Sequence, residues 1–368
     1  GGAKTWGRTR RVQPSLGRRG KSDVRIIRST SNDPFVNIAM EEWLWDQLND
    51  GTAPTLYLWQ NGPSVIIGRH QNPFKECHLR LMTEKGVHLT RRYSGGGAVY
   101  QDLGNSIFSF LAPRDKFSVA SNLEVVCQTV QQLGAPAEPS GRNDIICEGQ
   151  KVSGSAFKYS GNKALHHGTL MLDVDLEMLE KCLNPDKRKL ESKGIASIRS
   201  RVLNLAQRLP GVTHDAYCEA MVEQFCRAHG VAPASAPIET VGAELVAEEP
   251  GVKKHYEALV DWEWRFGRTP QFSHELSHKF DWALLEVHVD SLEGRMVAVK
   301  IFSDCLYPEL IDWLMKSLKG VKYDEEGVRE AVALVREEML SPHPPAGLPR
   351  DPCERYLNEF SDWLVKAL

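Results

Sequence analysis

Three consecutive glycines, Gly95–Gly97, constrain this chain more than any other feature of its sequence. They follow two arginines, Arg91 and Arg92, which end a strand-like run over 87–90, and a second strand-like run begins at residue 98. Glycines adopt backbone conformations closed to other residues and let amide groups approach a ligand closely. An adjacent arginine supplies a planar donor that suits phosphate or carboxylate. The pattern predicts an anion-binding loop between two strands, although a flexible hairpin tip would have the same composition.

The spacing of this loop excludes two common nucleotide-binding motifs. No Gly-Lys-Ser or Gly-Lys-Thr follows the glycines, as a Walker loop requires. The glycine spacing also differs from the dinucleotide-binding fingerprint. If the loop binds a nucleotide, it does so as a different kind of motif.

A second candidate site surrounds Lys151. This lysine follows a tight turn at 148–149 and begins the run Lys-Val-Ser-Gly-Ser over 151–155, with Asn143 and Asp144 across the same predicted hairpin. A lysine on a strand is usually a solvated edge residue. The glycines at 149 and 154 instead indicate a close approach of the backbone to another group.

Taken together, these segments resemble the lipoate–protein ligase A family in order and spacing. The matching segments are the glycine loop with Arg92, the group at 142–144, the run at 151–155, the His-His-Gly-Thr-Leu run at 166–170, and the stretches at 184–187, 194–201 and 68–73. The resemblance covers about residues 24 to 368, including the Trp-Glu-Trp-Arg-Phe-Gly run at 262–267. Each segment alone is weakly specific, but seven in register are strongly so.

The resemblance implies an adenylate-forming reaction. Lipoate and ATP give lipoyl-AMP and pyrophosphate, and the lipoyl group then passes to a lysine of an apo lipoyl domain. The implied small molecules are ATP, Mg²⁺ and (R)-lipoate. The implied acceptors are the lipoyl domains of 2-oxoacid dehydrogenase acyltransferase subunits and the glycine-cleavage carrier protein.

The resemblance also implies residue roles, with Lys151 as the catalytic group that contacts both the lipoate carboxyl and the α-phosphate. The implied nucleotide-binding residues are Arg92, Gly97, Ala98, Val99, Tyr100, Asn143, Asp144 and Lys151. The implied lipoate-binding residues are Arg92, Gly96, Lys151, Ser153 and His167. Asp144 is the implied Mg²⁺ ligand, and Gly194, Ile195 and Arg199 lie in the loop that closes over the adenylate. Gln101 departs from the family, many members of which have histidine there.

A lysine suits the first step of this reaction for an electrostatic reason. Lipoate and ATP are both anions, so their mutual repulsion opposes the attack of the carboxylate on phosphorus. An ammonium group between them cancels that repulsion and stabilises the charge that develops on phosphorus. In the second step the acceptor lysine must lose a proton, and the sequence does not identify the base.

The order of predicted elements gives an α/β (α+β) fold. The family fold implies a large mixed-sheet catalytic domain of the biotin/lipoyl-ligase type over 23–245 and a smaller α+β accessory domain over 260–368. Residues 231–251 are rich in proline, alanine and glutamate, which predicts a linker before the second domain, and we place it at 246–259.

The basic N-terminal segment predicts a location. Residues 1–22 contain seven lysines and arginines, no acid and several glycines, a composition typical of disordered tails and of organelle transit segments. The acceptors that the resemblance implies are matrix proteins in eukaryotes. Together with the basic segment they indicate a mitochondrial matrix location, and a cytoplasmic location is the alternative. The chain has 45 basic and 48 acidic residues, for a net charge of −3, which argues against a nucleic-acid partner. No apolar run is long enough to span a membrane.

Several other functions fit parts of the sequence. His274–His278 matches the HExxH zinc pattern, but a proline precedes it and a predicted strand follows closely, so we expect no structural zinc. An octanoyl transferase would need a nucleophilic cysteine, and Cys77, Cys147 and Cys182 have no evident activating base. A transferase that accepts only preformed lipoyl-AMP would have the same motifs. The biotin ligase Gly-Arg-Gly-Arg loop is absent, and a non-catalytic lipoyl-domain partner would not need Lys151.

Overall fold

The computed structural model describes residues 23–71, 73–141, 143–183, 202–266, 274–292, 295–340 and 349–367. These residues form a large mixed α/β domain and a smaller C-terminal domain, as predicted. The basic segment 1–22 and the predicted adenylate-closing residues Gly194, Ile195 and Arg199 lie outside the described residues. No helix among the described segments combines the length and the apolar character that crossing a bilayer requires.

The described segments contain fourteen strands. In chain order they are β1 (Arg25–Ser29), β2 (Thr55–Trp59), β3 (Ser64–Ile67), β4 (His88–Arg91), β5 (Val99–Gln101), β6 (Asn105–Pro113), β7 (Glu138–Ser140), β8 (Asp144–Cys147), β9 (Gln150–Ser160), β10 (Lys163–Met171), β11 (Ile238–Val241), β12 (His274–Lys279), β13 (Leu284–Leu292) and β14 (Arg295–Ser303).

The α-helices of the same segments surround these strands. They are α1 (Pro34–Asp46), α2 (Pro73–Glu76), α3 (Leu79–Glu84), α4 (Val119–Gln132), α5 (Leu176–Cys182), α6 (His214–Ala228), α7 (Leu245–Glu248), α8 (Pro250–Val260), α9 (Trp262–Phe266), α10 (Pro308–Leu318), α11 (Glu325–Leu340) and α12 (Arg350–Ala367).

Two sheets build the large domain. The first has eight strands in the order β11-β1-β2-β6-β10-β9-β8-β7, and the second has three in the order β4-β3-β5. In the large sheet β1 pairs in parallel with β2 and β11. The other neighbouring strands of this sheet, in the order β2-β6-β10-β9-β8-β7, all pair antiparallel. The glycine loop connects β4 to β5, so it emerges from the small sheet, as the sequence predicted.

Strand alternation gives the large sheet two buried faces. Leu56 and Leu58 of β2 belong to the core cluster that includes α4 and α6, whereas Tyr57 and Trp59 belong to the cluster that includes α1. Successive side chains of a strand point to opposite faces, so a sheet covered on both sides has nearly continuous apolar strands. Every residue of β2 is buried.

Helix α1 begins at an N-cap formed by Asp33. The Asp33 side chain accepts hydrogen bonds from the backbone N–H groups of Phe35 and Val36 at 2.7 and 3.3 Å, and Pro34 occupies the first turn. This is the usual N-cap arrangement. The helix is buried on nearly all sides, so Glu41 and Glu42 lie inside the domain rather than on a solvated face.

The expected linker at 246–259 is a correction to the sequence analysis. This segment contains most of α7 and α8, and Val252 and Leu259 of α8 are fully buried in the cluster that α1 forms with the large sheet. Pro250 occupies the first turn of α8, with Glu249 as its N-cap. The proline and the acid, which in composition resemble a linker, therefore start a helix.

The C-terminal domain packs a three-stranded antiparallel sheet, β12-β13-β14, against α10, α11 and α12. The HExxH residues form β12, not a helix. His274 contacts Tyr323 and His278 contacts Trp363, whereas Glu275 lies beside His288. On a strand the glutamate points away from the two histidines, so the helical arrangement of a zinc peptidase does not form.

Candidate active site

Lys151 and Asp144 form an ion pair on adjacent strands. The Nζ atom of Lys151 on β9 lies 2.8 Å from Oδ1 of Asp144 on β8. The register of the two strands shifts between Ile145 and Ile146, which places an extra residue in β9 directly after Lys151. In a regular strand Lys151 and Gly154, three positions apart, would point to opposite faces of the sheet. The extra residue of the bulge brings them onto the same face. Lys151 therefore shares a face with Asp144 and Gly154.

Gly154 makes room for the lysine ammonium. A Cβ atom at this position would lie 2.8 Å from Nζ and 3.0 Å from Cε of Lys151. The close approach that the sequence predicted for this glycine is therefore present, and the group it accommodates is Lys151. Gly149 has a positive φ of 81° and open space beside it, so it serves the turn between β8 and β9.

Asn143 joins the start of β8 to β9 next to this ion pair. Its side-chain Nδ2 donates to the carbonyl of Ser155 at 2.5 Å, and the Ser155 N–H donates to the Asn143 carbonyl at 2.8 Å. These bonds fix the start of β8 relative to β9. The structure thus gives Asn143 a framework role beside Asp144.

Arg92 is buried within the glycine loop and organises it. Its guanidinium donates to the carbonyls of Gly95 at 2.6 Å, Gly97 at 2.8 Å and Ile66 at 3.0 Å, and to Oγ of Ser94 at 3.0 Å. Burial lowers the pKa of Arg92 to about 10, with Glu41 acting in the opposite direction, so the group remains a cation at neutral pH. The arginine ties loop residues 94–97 to one another and to β3.

The C-terminal domain completes the glycine loop from the other side. The N–H of Gly96 donates to the carbonyl of Cys305 at 3.0 Å, and a Cβ atom at Gly95 would lie only 1.8 Å from the same oxygen. The N–H of Ser303 donates to the carbonyl of His70 at 2.7 Å. An ion pair of 2.9 Å joins Arg69 to Asp312 on α10. This contact was not predictable from sequence, because nothing local marks 303–306 as a partner of the loop.

The second half of the loop is more open. Gly97 has no atom within 4 Å of a Cβ atom built on it, and Ala98 and Val99 are half-buried. Tyr100 is buried in the cluster around β3 and α5, where burial together with Asp102 raises the pKa of its phenol. Residues 97–99 are therefore less enclosed than residues 94–96, while Tyr100 anchors β5 beneath them.

The glycine loop and Lys151 lie over the same face of β9. A Cβ atom at Gly96 would be 3.6 Å from Cβ of Ala156, which is two residues beyond Gly154 along the strand. Alternate residues of a strand are about 7 Å apart and share a face. The ammonium of Lys151 beside Gly154 and the loop beside Ala156 therefore lie over neighbouring positions of one strand face.

His167 and Ser153 are placed differently from Lys151. Both ring nitrogens of His167 are engaged: Nδ1 lies 2.9 Å from each carboxylate oxygen of Glu41, and Nε2 lies 2.6 Å from Oγ of Ser94. Ser153 is fully buried opposite Ile145 and Leu170, on the other face of the sheet from Gly154. That placement gives no support to a direct contact between Ser153 and lipoate.

Glu41 contacts His167 and is not among the residues predicted for the site. It lies in α1 within the run Met-Glu-Glu-Trp over 40–43, and its side chain is 1% exposed. Two adjacent acids in an otherwise apolar helix are an uncommon pattern, because an ionised carboxylate is rarely buried without a partner. That pattern was the available signal for a buried polar network.

The cysteines are poor nucleophile candidates. All eight lie in the described part of the chain, where they are buried and no disulfide joins them. Burial raises the pKa of Cys77 to about 12 and also raises those of Cys147 and Cys182. A raised pKa keeps the thiol protonated and unreactive at neutral pH. The geometry therefore does not favour a route through a cysteine acyl-enzyme.

The acidic residues do not form a resident metal site within the described segments. No group of three His, Cys, Asp or Glu side chains there could hold an ion, and Asp144 already pairs with Lys151. The site instead combines a lysine ammonium with a loop of accessible backbone. Such an arrangement suits the class of enzymes that bring anionic groups together.

Comparisons with known proteins agree with this class. The family model of the lipoyl protein ligase A/B catalytic domain matches residues 33–226, and that of the bacterial lipoate protein ligase C-terminus matches residues 269–343. Lipoate-protein ligase A of Psychrobacter cryohalolentis is 38% identical over 344 residues, which cover 93% of this chain and 98% of that protein. The chain belongs to the lipoate–protein ligase family of enzymes.

Solved structures give the same result. LipL1 of P. falciparum, in complex with lipoate, superposes with a TM-score of 0.79 at 29% identity and covers 93% of this chain and 99% of its own. A lipoate-protein ligase A bound with ATP has a TM-score of 0.57 at 25% identity, over 66% of this chain and 98% of its own. A bipartite lipoate protein ligase of T. acidophilum, described with its E2 lipoyl domain, has a TM-score of 0.58 at 26% identity, over 68% and 99%.

Proposed function

We propose that this protein activates lipoate with ATP to form lipoyl-AMP and then transfers the lipoyl group to a lysine of apo lipoyl domains. The observation that carries the proposal is the ammonium of Lys151 on the same face of β9 as the glycine loop. Family membership supports it, as do relatives solved with lipoate and with ATP.

In the proposed first step, Lys151 lies between the lipoate carboxylate and the α-phosphate. Its positive charge offsets their repulsion and stabilises the charge that develops on phosphorus. Gly97, Ala98 and Val99 offer backbone to the nucleotide from a loop that Arg92 holds rigid, so little reorganisation is needed. Gly96 and the ring of His167 border the proposed lipoate site.

Asp144 is proposed to keep Lys151 in place rather than to hold a resident metal. Its carboxylate is already paired with the ammonium at 2.8 Å. Mg²⁺ then enters with the nucleotide, as part of the Mg·ATP substrate. The predicted loop residues Gly194, Ile195 and Arg199 remain candidates for covering the adenylate.

In the proposed second step, the acceptor lysine attacks the mixed anhydride and AMP leaves. Joining lipoate to AMP replaces a poor leaving group with a good one, so an enzyme-bound acyl intermediate is not required. Lys151 can polarise the acyl carbonyl in this step as well. The proposed acceptors are lipoyl domains of 2-oxoacid dehydrogenase acyltransferases and the glycine-cleavage carrier protein. With the basic segment 1–22, they support a mitochondrial matrix location.

One experiment tests the proposal directly. The protein is mixed with (R)-lipoate, Mg·ATP and an apo lipoyl domain, and the acceptor is weighed by mass spectrometry. We expect a mass gain of one lipoyl group and one pyrophosphate released per transfer. A gain seen only with preformed lipoyl-AMP would show a transferase that lacks the activation step, and no gain with either donor would contradict the proposed function.

A further inference from the structure

A continuous chain of buried hydrogen bonds joins helix α1 to the glycine loop. It runs from the Glu41 carboxylate through His167 and Ser94 to Arg92, with contacts of 2.9, 2.6 and 3.0 Å. All four residues are less than 10% exposed. The far end of the chain is the guanidinium that binds the carbonyls of Gly95 and Gly97.

The donors and acceptors of this chain are satisfied by one proton arrangement. Arg92 Nε has only a proton to give, so Ser94 Oγ accepts from it and gives its own proton to His167 Nε2. His167 must then carry its proton on Nδ1, where it donates to Glu41. Ser109 also donates to Glu41, at 2.5 Å, and itself accepts from Trp59 at 2.9 Å. Every polar group named here then has a partner.

The charge of Glu41 suits its place as the acceptor at the end of the chain. Burial alone would raise the pKa of Glu41, but the contacts with His167 and Ser109 outweigh burial and lower it. The carboxylate is therefore ionised and acts as the acceptor at the end of the chain. The neighbouring Glu42 differs, since burial raises its pKa and its partner is Lys158 at 2.5 Å.

We propose that Glu41 is a positioning residue: it fixes the tautomer of His167, which orients Ser94 and Arg92 and so holds the glycine loop in the shape that accepts the nucleotide. Carboxylates that orient a histidine through Nδ1 act in this way in other sites. The link to nucleotide binding rests on the proposed function. The link to the shape of the loop does not depend on it.

The isosteric change Glu41→Gln tests the proposal, because an amide can no longer enforce one tautomer of His167. Glu42→Gln is the matched control: it changes an adjacent, equally buried acid that is outside the chain. We expect Glu41→Gln to weaken Mg·ATP binding by about 10- to 100-fold, the usual effect of losing a hydrogen bond to a charged group, with a smaller effect on lipoate binding. Glu42→Gln should leave Mg·ATP binding close to that of the wild type.

Two measurements test the chain without any activity. In ¹⁵N-histidine NMR spectra, the downfield Nδ1–H signal of His167 should disappear in Glu41→Gln and persist in Glu42→Gln. Hydrogen exchange of the amides at 94–97 should become faster in Glu41→Gln only. Ser94→Ala, a second variant that cuts the chain at another link, should loosen the same amides and keep the His167 signal.

The outcomes separate the two proposals. A wild type that does not bind Mg·ATP would defeat the proposed function, while the NMR and exchange results would still decide the role of Glu41. Unchanged exchange at 94–97 in both Glu41→Gln and Ser94→Ala would overturn the positioning role. A loss of lipoate affinity with normal Mg·ATP affinity would also overturn it, because Glu41 and His167 would then act on the lipoate side alone.

Discussion

The ammonium of Lys151 lies 2.8 Å from the carboxylate of Asp144 on the neighbouring strand, and both side chains are about one-third exposed, at 39% and 34%. An ion pair that reaches solvent to this extent is typically worth less than about 1 kcal/mol. It can therefore hold the lysine in place and yet give way to an incoming anion. The site is ordered without being locked against its proposed substrates.

Lys151→Ala should abolish formation of the adenylate. The change removes the cation that offsets the repulsion between carboxylate and triphosphate. The activation barrier should therefore rise by on the order of 3 kcal/mol or more. Pyrophosphate release with lipoate and Mg·ATP measures it. Lys181→Ala, which removes an exposed lysine of α5, is the control and should be neutral. Near-normal turnover of Lys151→Ala would contradict the assignment.

Gly154→Ala should lower activity by displacing the same ammonium. The new Cβ would lie 2.8 Å from Nζ of Lys151, and a flexible side chain can move away at small cost to stability. We expect reduced turnover with a nearly unchanged melting temperature. The same change made in Lys151→Ala should have no further effect, since the two variants remove one function. An additive loss would mean that Gly154 acts independently of the lysine.

Gly97→Ala should lower the affinity for ATP alone, whereas Gly96→Ala should also lower the stability of the fold. Gly97 has open space around a new Cβ, so alanine there should leave the fold intact and weaken ATP binding; Gly97→Val should do so more strongly. Gly96 has a φ of 91°, and its Cβ would lie 2.9 Å from the Arg92 guanidinium, so alanine there should lower stability as well. Calorimetric titration and thermal melts measure the two effects. Unchanged ATP affinity in Gly97→Val would count against the loop as the nucleotide site.

Gly95→Ala should loosen the contact between the C-terminal domain and the glycine loop. The added Cβ would lie 1.8 Å from the Cys305 carbonyl, a distance that only backbone movement can relieve. Hydrogen exchange at 303–306 should become faster than in the wild type. Gly97→Ala, two residues away and without this contact, serves as the control. Equal protection in both variants would show that the loop accommodates the methyl group without moving the domain.

Glu309→Gln should make the protein more stable at alkaline pH. Burial raises the pKa of Glu309 from 4.5 to about 7, against a hydrogen bond from its own backbone N–H and the charges of Arg69 and Lys158, while Asp312 adds to the shift. Its Oε2 has no hydrogen-bond partner among the described residues. Between these pH values the folded state binds more protons than the unfolded chain, so stability falls as pH rises through this interval. Glutamine removes that loss.

Melting temperatures at about pH 5 and about pH 8 measure the Glu309 effect. The variant should exceed the wild type at the higher pH, by a free energy on the order of 3 kcal/mol, and approach it at the lower pH. Glu330→Gln, an exposed change on α11, should shift neither value. A gain of equal size at both pH values would show that packing, not ionisation, is responsible.

The local features of the site were predictable from sequence. The Asp33 cap, the tight turn at Gly149 and the positive φ of Gly96 follow from residue types that few alternatives can replace. The predicted hairpin likewise brought Asp144 and Lys151 onto adjacent strands. Short range is the reason: a turn or a cap is decided by residues within a few positions of each other.

Packing decided what joins these features. Glu41 reaches His167 across 126 residues, and Ser94 reaches it across 73. Cys305 meets the glycine loop from another domain, and the segment taken for a linker is a helix because Val252 and Leu259 find an apolar surface on α1. The sequence by itself determined which groups the protein has for its chemistry. Only the tertiary structure decided which of them touch, because burial pairs polar groups that the chain order keeps far apart.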